Sequence, residues 1–372
     1  MTFCIISHVL HTEKNHSFFA YSPYVNEMNI WLQYADKLII VAPLEHYKLN
    51  AIHASYKHHN IEFCEAKKFN TLSLKAIFHS LIALPSNSWK IYKAMKASDH
   101  IHLRCPGNMG LLGCMVQILF PKKKKSAKYA GNWDPKAKQP LSYRFQKWIL
   151  SNTFLTKNMR VLVYGHWKNQ SKNILPFFTA TYNEKEKIDV VPRVLQNTLQ
   201  FIFVGSLTKG KQPLYAVQLI QKLKEDGHKV KLSLFGQGKE REALRKSICA
   251  NRLEATISLE ENLDREALKA KYQTSHFLIL PSKSEGWPKV VAEAMFWGCV
   301  PIATKVSCIP TMLDFGNRGL LLSEDINQDA TQLAALCSNQ TDYNAKAKAA
   351  IDWSRNYTLD RFESEIKKII QS

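Results

Sequence analysis

Two glutamates with seven residues between them are the most informative chemistry in this 372-residue chain. They stand in Pro281-Ser282-Lys283-Ser284-Glu285-Gly286-Trp287-Pro288-Lys289-Val290-Val291-Ala292-Glu293-Ala294-Met295, which follows an apolar run and leads into a helical pattern. The first N–H groups of a helix have no partner inside it, so such a helix start can face an anion. Glu285 falls in the loop beside Gly286, whose missing side chain lets backbone approach a ligand closely. Glu293 lies about one turn into the helix. Carboxylates at an anion-binding helix start make poor phosphate ligands and good acceptors for sugar hydroxyls, one on a ribose and one on a transferred hexose. Either residue alone fits a surface or helix-entry glutamate equally well.

A second constellation is Phe201-Ile202-Phe203-Val204-Gly205-Ser206-Leu207-Thr208-Lys209-Gly210-Lys211-Gln212-Pro213, a strand, a glycine loop with two lysines, and a helix opened by proline. Its Gly205-x4-Gly210-Lys211 spacing imitates a phosphate-cradling P-loop. Gln212 stands where the Mg²⁺-binding Ser or Thr belongs, and no strand ending in a suitable Asp follows. The loop is therefore read as one whose lysines meet a diphosphate in another geometry. Leu234-Phe235-Gly236-Gln237-Gly238-Lys239 is a third such turn. Alone it says little, because tight strand-to-helix turns commonly use glycine.

These loops need strands to carry them. Short apolar runs alternate with longer amphipathic ones, the pattern of parallel sheets covered by helices. In the first half, strands are predicted at 3–6, 38–42, 61–64, 100–103, 127–130 and 160–164. Helices are predicted at 72–96, with a break at Pro85, and at 142–150. Residues 182–197 are polar and contain Pro192, which reads as a linker. Beyond it, strands at 201–204, 230–235, 255–259, 277–280 and 300–303 alternate with helices at 213–225, 239–251, 265–273 and 290–296. That is a second doubly wound α/β domain. The expected division is residues 1–190, an acceptor-binding Rossmann-like domain, and 198–352, a donor-binding one. The amphipathic segment 360–370 lies in a C-terminal helix, 355–372, expected to pack back on the first domain.

In their order and spacing these residues resemble glycosyltransferase family 4 (glycosyl transferases group 1), retaining enzymes of the GT-B fold. The resemblance rests on Val204-Gly205…Lys211, Gly236-x-Gly238 and Glu285-Gly286-Trp287…Glu293-Ala294-Met295, and covers about residues 199–325; the first half fits by architecture alone. It implies two Rossmann-like domains facing each other across a cleft, with a nucleotide-sugar donor held there. It also implies transfer to a glycan or lipid-linked acceptor in polysaccharide biosynthesis, with no metal and no other cofactor. Retention in such enzymes proceeds by front-face attack, with a donor phosphate oxygen as base. Position by position, Lys211 and Glu285 would carry catalysis, Glu285 binding the transferred sugar and Glu293 the ribose. Gly205, Ser206, Lys209, Gly236, Gly286 and the backbone at Trp287, Pro288, Lys289 and Val290 would complete the donor site. The family usually has Arg where this chain has Ser206, and Lys209 is the expected substitute. The same departure suits a non-catalytic glycosyltransferase-like binding subunit. A second departure is the absence of a glycine-rich loop after the first strand, where the chain reads Ser7-His8-Val9-Leu10-His11-Thr12-Glu13.

Arg104, Asn132 and Asp134 end predicted strands of the first half and are the acceptor-side candidates, since side chains at carboxyl ends of parallel strands line ligand sites. A structural ion pair for Arg104 and a plain turn for Asn132 and Asp134 are the alternatives. The chain has 51 Lys and Arg against 31 Asp and Glu, a net charge of +20. Such a surplus attracts polyanions. Lys122-Lys123-Lys124-Lys125 is its densest run, either a solvated loop or a contact with an anionic membrane; nucleic acid is not expected, because no nucleic-acid-binding signature accompanies it. Eight scattered cysteines without a Cys-x-x-Cys pair read as reduced, mostly buried thiols. No export signal or spanning segment is visible, so the expected place is the cytoplasm, peripheral at the inner face of the cell membrane. No Asp-x-Asp or zinc spacing appears.

Overall fold

Parallel strands need long crossovers, and this chain supplies them with helices. A computed structural model describes residues 1–50, 52–67 and 74–371. They fall into two compact units, Met1–Phe178 with Glu363–Ser372, and Thr179–Phe362.

The first unit runs β1 (Thr2–Ile6), β2 (Thr12–Lys14), β3 (Ser17–Tyr21), α1 (Ser22–Trp31), β4 (Lys37–Ala42), β5 (His53–Ser55), β6 (Ile61–Glu65), α2 (Leu74–Ala97), β7 (His100–Cys105), α3 (Asn108–Val116), β8 (Lys124–Tyr129), α4 (Leu141–Ser151), β9 (Met159–Tyr164) and β10 (Ile174–Phe177). Seven strands form a parallel sheet in the order β10-β9-β8-β7-β1-β4-β6, while β2, β3 and β5 make a small antiparallel sheet. That small sheet occupies the stretch where the glycine-rich loop is missing. An open hollow of about 300 Å³ beside it is lined by Thr12, Glu13, Lys14, His46, Tyr47, Lys48 and Leu49.

The second unit runs β11 (Leu199–Val204), α5 (Pro213–Glu225), β12 (Val230–Phe235), α6 (Arg241–Ala250), β13 (Ile257–Glu260), α7 (Arg265–Thr274), β14 (Phe277–Leu280), α8 (Lys289–Phe296), β15 (Val300–Thr304), α9 (Ile309–Met312), β16 (Leu320–Leu322), α10 (Ile326–Cys337) and α11 (Gln340–Ser354). Its six strands are all parallel, in the order β13-β12-β11-β14-β15-β16. A last helix, α12 (Leu359–Gln371), starts in this unit and ends among residues of the first. Each unit is thus Rossmann-like, with its own core. In the second, Phe201, Phe203, Phe277, Ile279 and Ile302 from the strands pack on Ile220 and Leu223 of α5. Burying one such side chain contributes about 1.5–3 kcal/mol. Strands covered on both faces read as unbroken apolar runs, which is why Phe277–Leu280 is entirely apolar.

Two expectations need correction. Pro85 does not break α2, which is continuous through it. Proline removes one intrahelical hydrogen bond and strains the preceding turn, and here the helix absorbs that. The start of the predicted segment, residues 72 and 73, lies outside the described residues. Nor is the lysine run a uniform solvated cluster. Lys123 Nζ donates to the carbonyls of Met95, Lys96 and Ser98 at 2.5–2.7 Å, closing the C-terminal end of α2. Lys125 is 2% exposed and donates to Gln117 Oε1 at 2.7 Å and Phe120 O at 3.1 Å. Burial lowers its pKa to about 8. Lys122 and Lys124 alone of the four are exposed.

Candidate functional site

Three strand-to-helix loops gather at the carboxyl end of the second sheet: 205–212 after β11, 236–240 after β12 and 281–288 after β14. β11 lies between β12 and β14, so its loop meets both neighbours. On the β12 side, Gly205 N donates to Phe235 O at 3.0 Å and Leu207 N to Gln237 O at 2.9 Å. A Cβ on Gly236 would stand 1.9 Å from Gly205 O, and one on Gly238 2.2 Å from Leu207 O. Only glycine lets the two backbones come this close, so Gly236 acts through the fit of the loops.

On the β14 side, three contacts stitch 205–212 to 281–288. Lys283 N donates to Gly210 O at 2.9 Å, and Gln212 Nε2 to Pro281 O at 2.8 Å. Lys211 Nζ pairs with Glu285 Oε1 at 2.5 Å. Gln212, left-handed at φ 49°, ends the loop sharply before Pro213 opens α5. Its amide also reaches Glu324 Oε1 at 3.0 Å, so the residue in the place of a magnesium-binding hydroxyl is a tie between loops. The Lys211 and Glu285 side chains are 29% and 8% exposed. Their charges offset one another, so any anion approaching Lys211 would compete with Glu285 for the ammonium. Ser206 and Lys209 are exposed on the same loop, and the Lys209 side chain makes no hydrogen bond or ion pair among the described residues.

The 281–288 loop is held from its other side, where Gly286 O accepts from Ser307 Oγ and Cys308 Sγ, each at 3.1 Å. The Trp287 ring packs against Trp353 and Tyr357, with centroids 6.0 and 5.2 Å away. Trp287 thereby anchors the backbone that leads into α8. That helix begins after Pro288 with no side-chain cap. Proline has no N–H, so amide donors at this end come from the residues around it, Val290 among them.

Glu293, one turn into α8, is 9% exposed. Thr181 Oγ1 donates to its Oε1 at 2.6 Å and Tyr272 OH to its Oε2 at 3.2 Å. Burial first, then the Glu293 charge, holds the Tyr272 pKa well above the usual tyrosine range, so this phenol remains a donor. Each carboxylate oxygen has two lone pairs, which leaves room for further hydroxyls. A cavity of about 10 Å³ beside it, lined by Thr181, Tyr182, Lys289, Glu293 and Tyr357, fits about one water.

In the first unit, Arg104, Asn132 and Asp134 sit at neighbouring strand ends in different surroundings. Asn132 Oδ1 accepts from Asp134 N at 2.9 Å, and Asp134 Oδ1 from Lys136 N at 2.8 Å. Both spend an acceptor on shaping the turn after β8. Arg104 Nη1 lies 3.7 Å from Glu27 Oε1, and its guanidinium covers the Tyr24 ring at 5.3 Å. Thr181, Tyr272 and the tie made by Gln212 were not anticipated. Only Gln212 left a signal, as the residue that spoils the P-loop pattern.

The family model for glycosyl transferases group 1 matches residues 184–353. The putative colanic acid biosynthesis glycosyltransferase WcaL of Escherichia coli (strain K12) is 29% identical over 151 residues, 39% of this chain and 37% of that protein. The chain spans less than two fifths of the length of the curated relatives it matches. Sucrose-phosphate synthase from Thermosynechococcus elongatus superposes with a TM-score of 0.71 at 16% identity, over 100% of this chain and 98% of the other. HepE of Anabaena, solved with UDP and glucose, gives 0.68 at 13% identity over 100% and 99%. At these identities the likeness is one of fold. Residues 184–353 thus resemble the glycosyl transferases group 1 family, and the chain's two Rossmann-like halves have the GT-B fold.

Proposed function

We propose that this chain moves a hexose from a nucleotide-sugar donor to a glycan or lipid-linked acceptor, with retention and without a metal ion. The observation that carries this reading is the stitched pair of loops in the second unit. A cation, Lys211, touches a carboxylate, Glu285, beside the uncapped start of α8. Breaking a glycosidic bond to a nucleoside diphosphate builds negative charge on the leaving phosphate. Lys211, Lys209 and the α8 amides supply preorganised positive charge for it, the role a divalent cation would otherwise play. Glu285 accepts from hydroxyls of the transferred sugar and Glu293 from the ribose. The name of the Escherichia coli relative supports a polysaccharide acceptor, and the UDP and glucose bound by HepE support a uridine donor.

The test is turnover by purified protein with UDP-, GDP- and ADP-sugars, before and after EDTA, beside thermal shifts with the free nucleotides. Ligand at 100 times its Kd adds about 2.7 kcal/mol of stability. Transfer that survives EDTA is the expected result. Activity lost on chelation and restored by Mn²⁺ refutes the metal-free part, and no shift with any nucleotide refutes the whole. Ser206, in place of the family's usual Arg, favours a second reading, a binding subunit without turnover. Nucleotide binding with no transfer would identify it.

The reading extends to an anionic membrane surface, presented by the first unit. No helix among the described residues is long and apolar enough to cross a membrane. Residues 66–183 hold 20 Lys and Arg but only two acids, Asp99 and Asp134, and so carry most of the chain's surplus charge. α2 packs on α3 and α3 on α4. α4 exposes Leu141, Phe145 and Trp148 at helical spacing, and Trp89 on α2, Leu119 just after α3 and Phe154 just after α4 are exposed as well. Lys157 lies over Phe154 and Lys93 over Trp89, at 5.1 and 5.3 Å. Aromatic side chains interleaved with cations suit a lipid interface. This face, with Lys122 and Lys124, takes the part that the whole lysine run was expected to play.

A further inference from the structure

Glu293 is buried, and its carboxylate is clamped from two sides. Thr181 Oγ1 donates to Oε1 at 2.6 Å and Tyr272 OH to Oε2 at 3.2 Å, one hydroxyl on each oxygen. Both hydroxyls are themselves positioned by α7. Arg265 and Tyr272 stand seven residues apart, on one face of that helix. Arg265 donates from Nε and Nη2 to Thr181 O at 3.3 and 3.2 Å, which fixes the backbone that carries the threonine. Arg193 then ties the end of α7 to the end of α8. Its guanidinium donates to the carbonyls of Tyr272 and Gln273 and to those of Trp297 and Gly298, at 2.6–2.9 Å. The helix carrying Tyr272 and the helix carrying Glu293 are thus held by one planar group.

A carboxylate with a donor on each oxygen has its plane fixed, and two of its four lone-pair sites remain open. The small cavity beside Glu293, also lined by Thr181, Tyr182 and Lys289, is about 10 Å³, room for about one water or one hydroxyl. An acceptor prepared in this way discriminates on a hydroxyl, because a ligand lacking it leaves the desolvated carboxylate short of a donor.

We infer that Thr181 and Tyr272 are positioning residues that aim the Glu293 carboxylate at the 2′-hydroxyl of the donor ribose. The chain thereby selects ribonucleoside over 2′-deoxyribonucleoside diphosphates. This rests on the assignment of Glu293 to the ribose in the proposed transfer.

The experiment titrates UDP, GDP and ADP, and their 2′-deoxy counterparts, calorimetrically into the full chain. For the base that binds, the ratio of deoxy to ribo Kd should be about 10–100 in wild type, as for one hydrogen bond to a charged group. Thr181→Val keeps the shape and loses the donor, and should lower that ratio about 3- to 10-fold. Thr181→Ser, which keeps a hydroxyl, should hold the wild-type ratio. Tyr272→Phe should lower it about as far as Thr181→Val does. The Kd of the deoxynucleotide should stay within about twofold throughout, because it makes no bond that the clamp orients. Circular dichroism and urea midpoints check that each variant is folded. A purely structural clamp would lower the midpoints and leave the ratio alone. An unchanged ratio in Thr181→Val and Tyr272→Phe, lost only in Glu293→Gln, therefore overturns the inference and leaves the transfer reading standing. A wild-type ratio near unity with nucleotide still bound also overturns it and takes Glu293 off the ribose, while Lys211 and Glu285 keep their parts. Binding of no nucleotide at all refutes the transfer reading together with the inference.

Discussion

The Lys211–Glu285 contact makes a prediction whose two halves have opposite signs. Glu285→Gln removes the charge that competes for the Lys211 ammonium. Unit charges about 4 Å apart near a protein surface attract by about 4 kcal/mol before desolvation is counted. Exposed pairs net about 0–1 kcal/mol, and buried ones cost about 3–5 kcal/mol to break. With side chains 29% and 8% exposed, this pair lies between, at about 1–2 kcal/mol. Freed from it, Lys211 should bind free nucleoside diphosphate about 5- to 30-fold more tightly. Turnover should nevertheless fall, by about 10- to 100-fold, because the sugar loses its carboxylate acceptor. Lys211→Ala should weaken nucleotide and lower kcat and kcat/KM together by about 100-fold or more. It should also cost about 1–2 kcal/mol of stability by stranding Glu285, a loss that Lys211→Ala with Glu285→Gln should partly restore. Calorimetric titration of UDP and GDP, steady-state kinetics and urea unfolding of the four proteins give the comparison. Nucleotide binding weakened tenfold or more by Glu285→Gln would refute the competition and the assignment of Glu285 to the sugar.

Three further outcomes follow from the geometry. Glu293→Gln should raise donor KM and weaken free nucleotide while sparing kcat, since a ribose hydrogen bond persists from ground state to transition state; a fall in kcat alone would move Glu293 to the reacting sugar. Burial lowers the pKa values of His11 and His100 from 6.5 to about 4. Between those values the unfolded chain binds more protons, so stability holds above pH 6.5 and falls as the pH drops toward 4. The loss at pH 5 should be about 2 kcal/mol per histidine, and urea midpoints that stay flat from pH 7 to 5 would show that these rings are not held neutral. Phe145→Ser with Trp148→Ser should cut co-sedimentation with anionic vesicles about tenfold or more without unfolding the first unit. High salt should weaken the wild type as well, and equal binding to neutral vesicles would remove the cations from the account.

How far the sequence could be read depended on whether a feature was local. The β/α series of residues 199–304 was legible because parallel strands covered on both faces are continuous apolar runs, as in Phe277–Leu280. β2, β5 and β16, three residues each, are too short to show a period. Site residues were legible as types at strand ends, whereas their partners were not. Lys211 and Glu285 stand 74 positions apart, and nothing local says that one offsets the other. The lysine run misled for the same reason. Four adjacent cations look solvated until Lys123 finds carbonyls 25–28 positions back. Arg104 shows the same limit. Its place at a strand end could be read directly, but the residues that share its corner could not, because Glu27 on α1 and Lys128 on β8 are distant in sequence and only the folded sheet sets one carboxylate between the two cations.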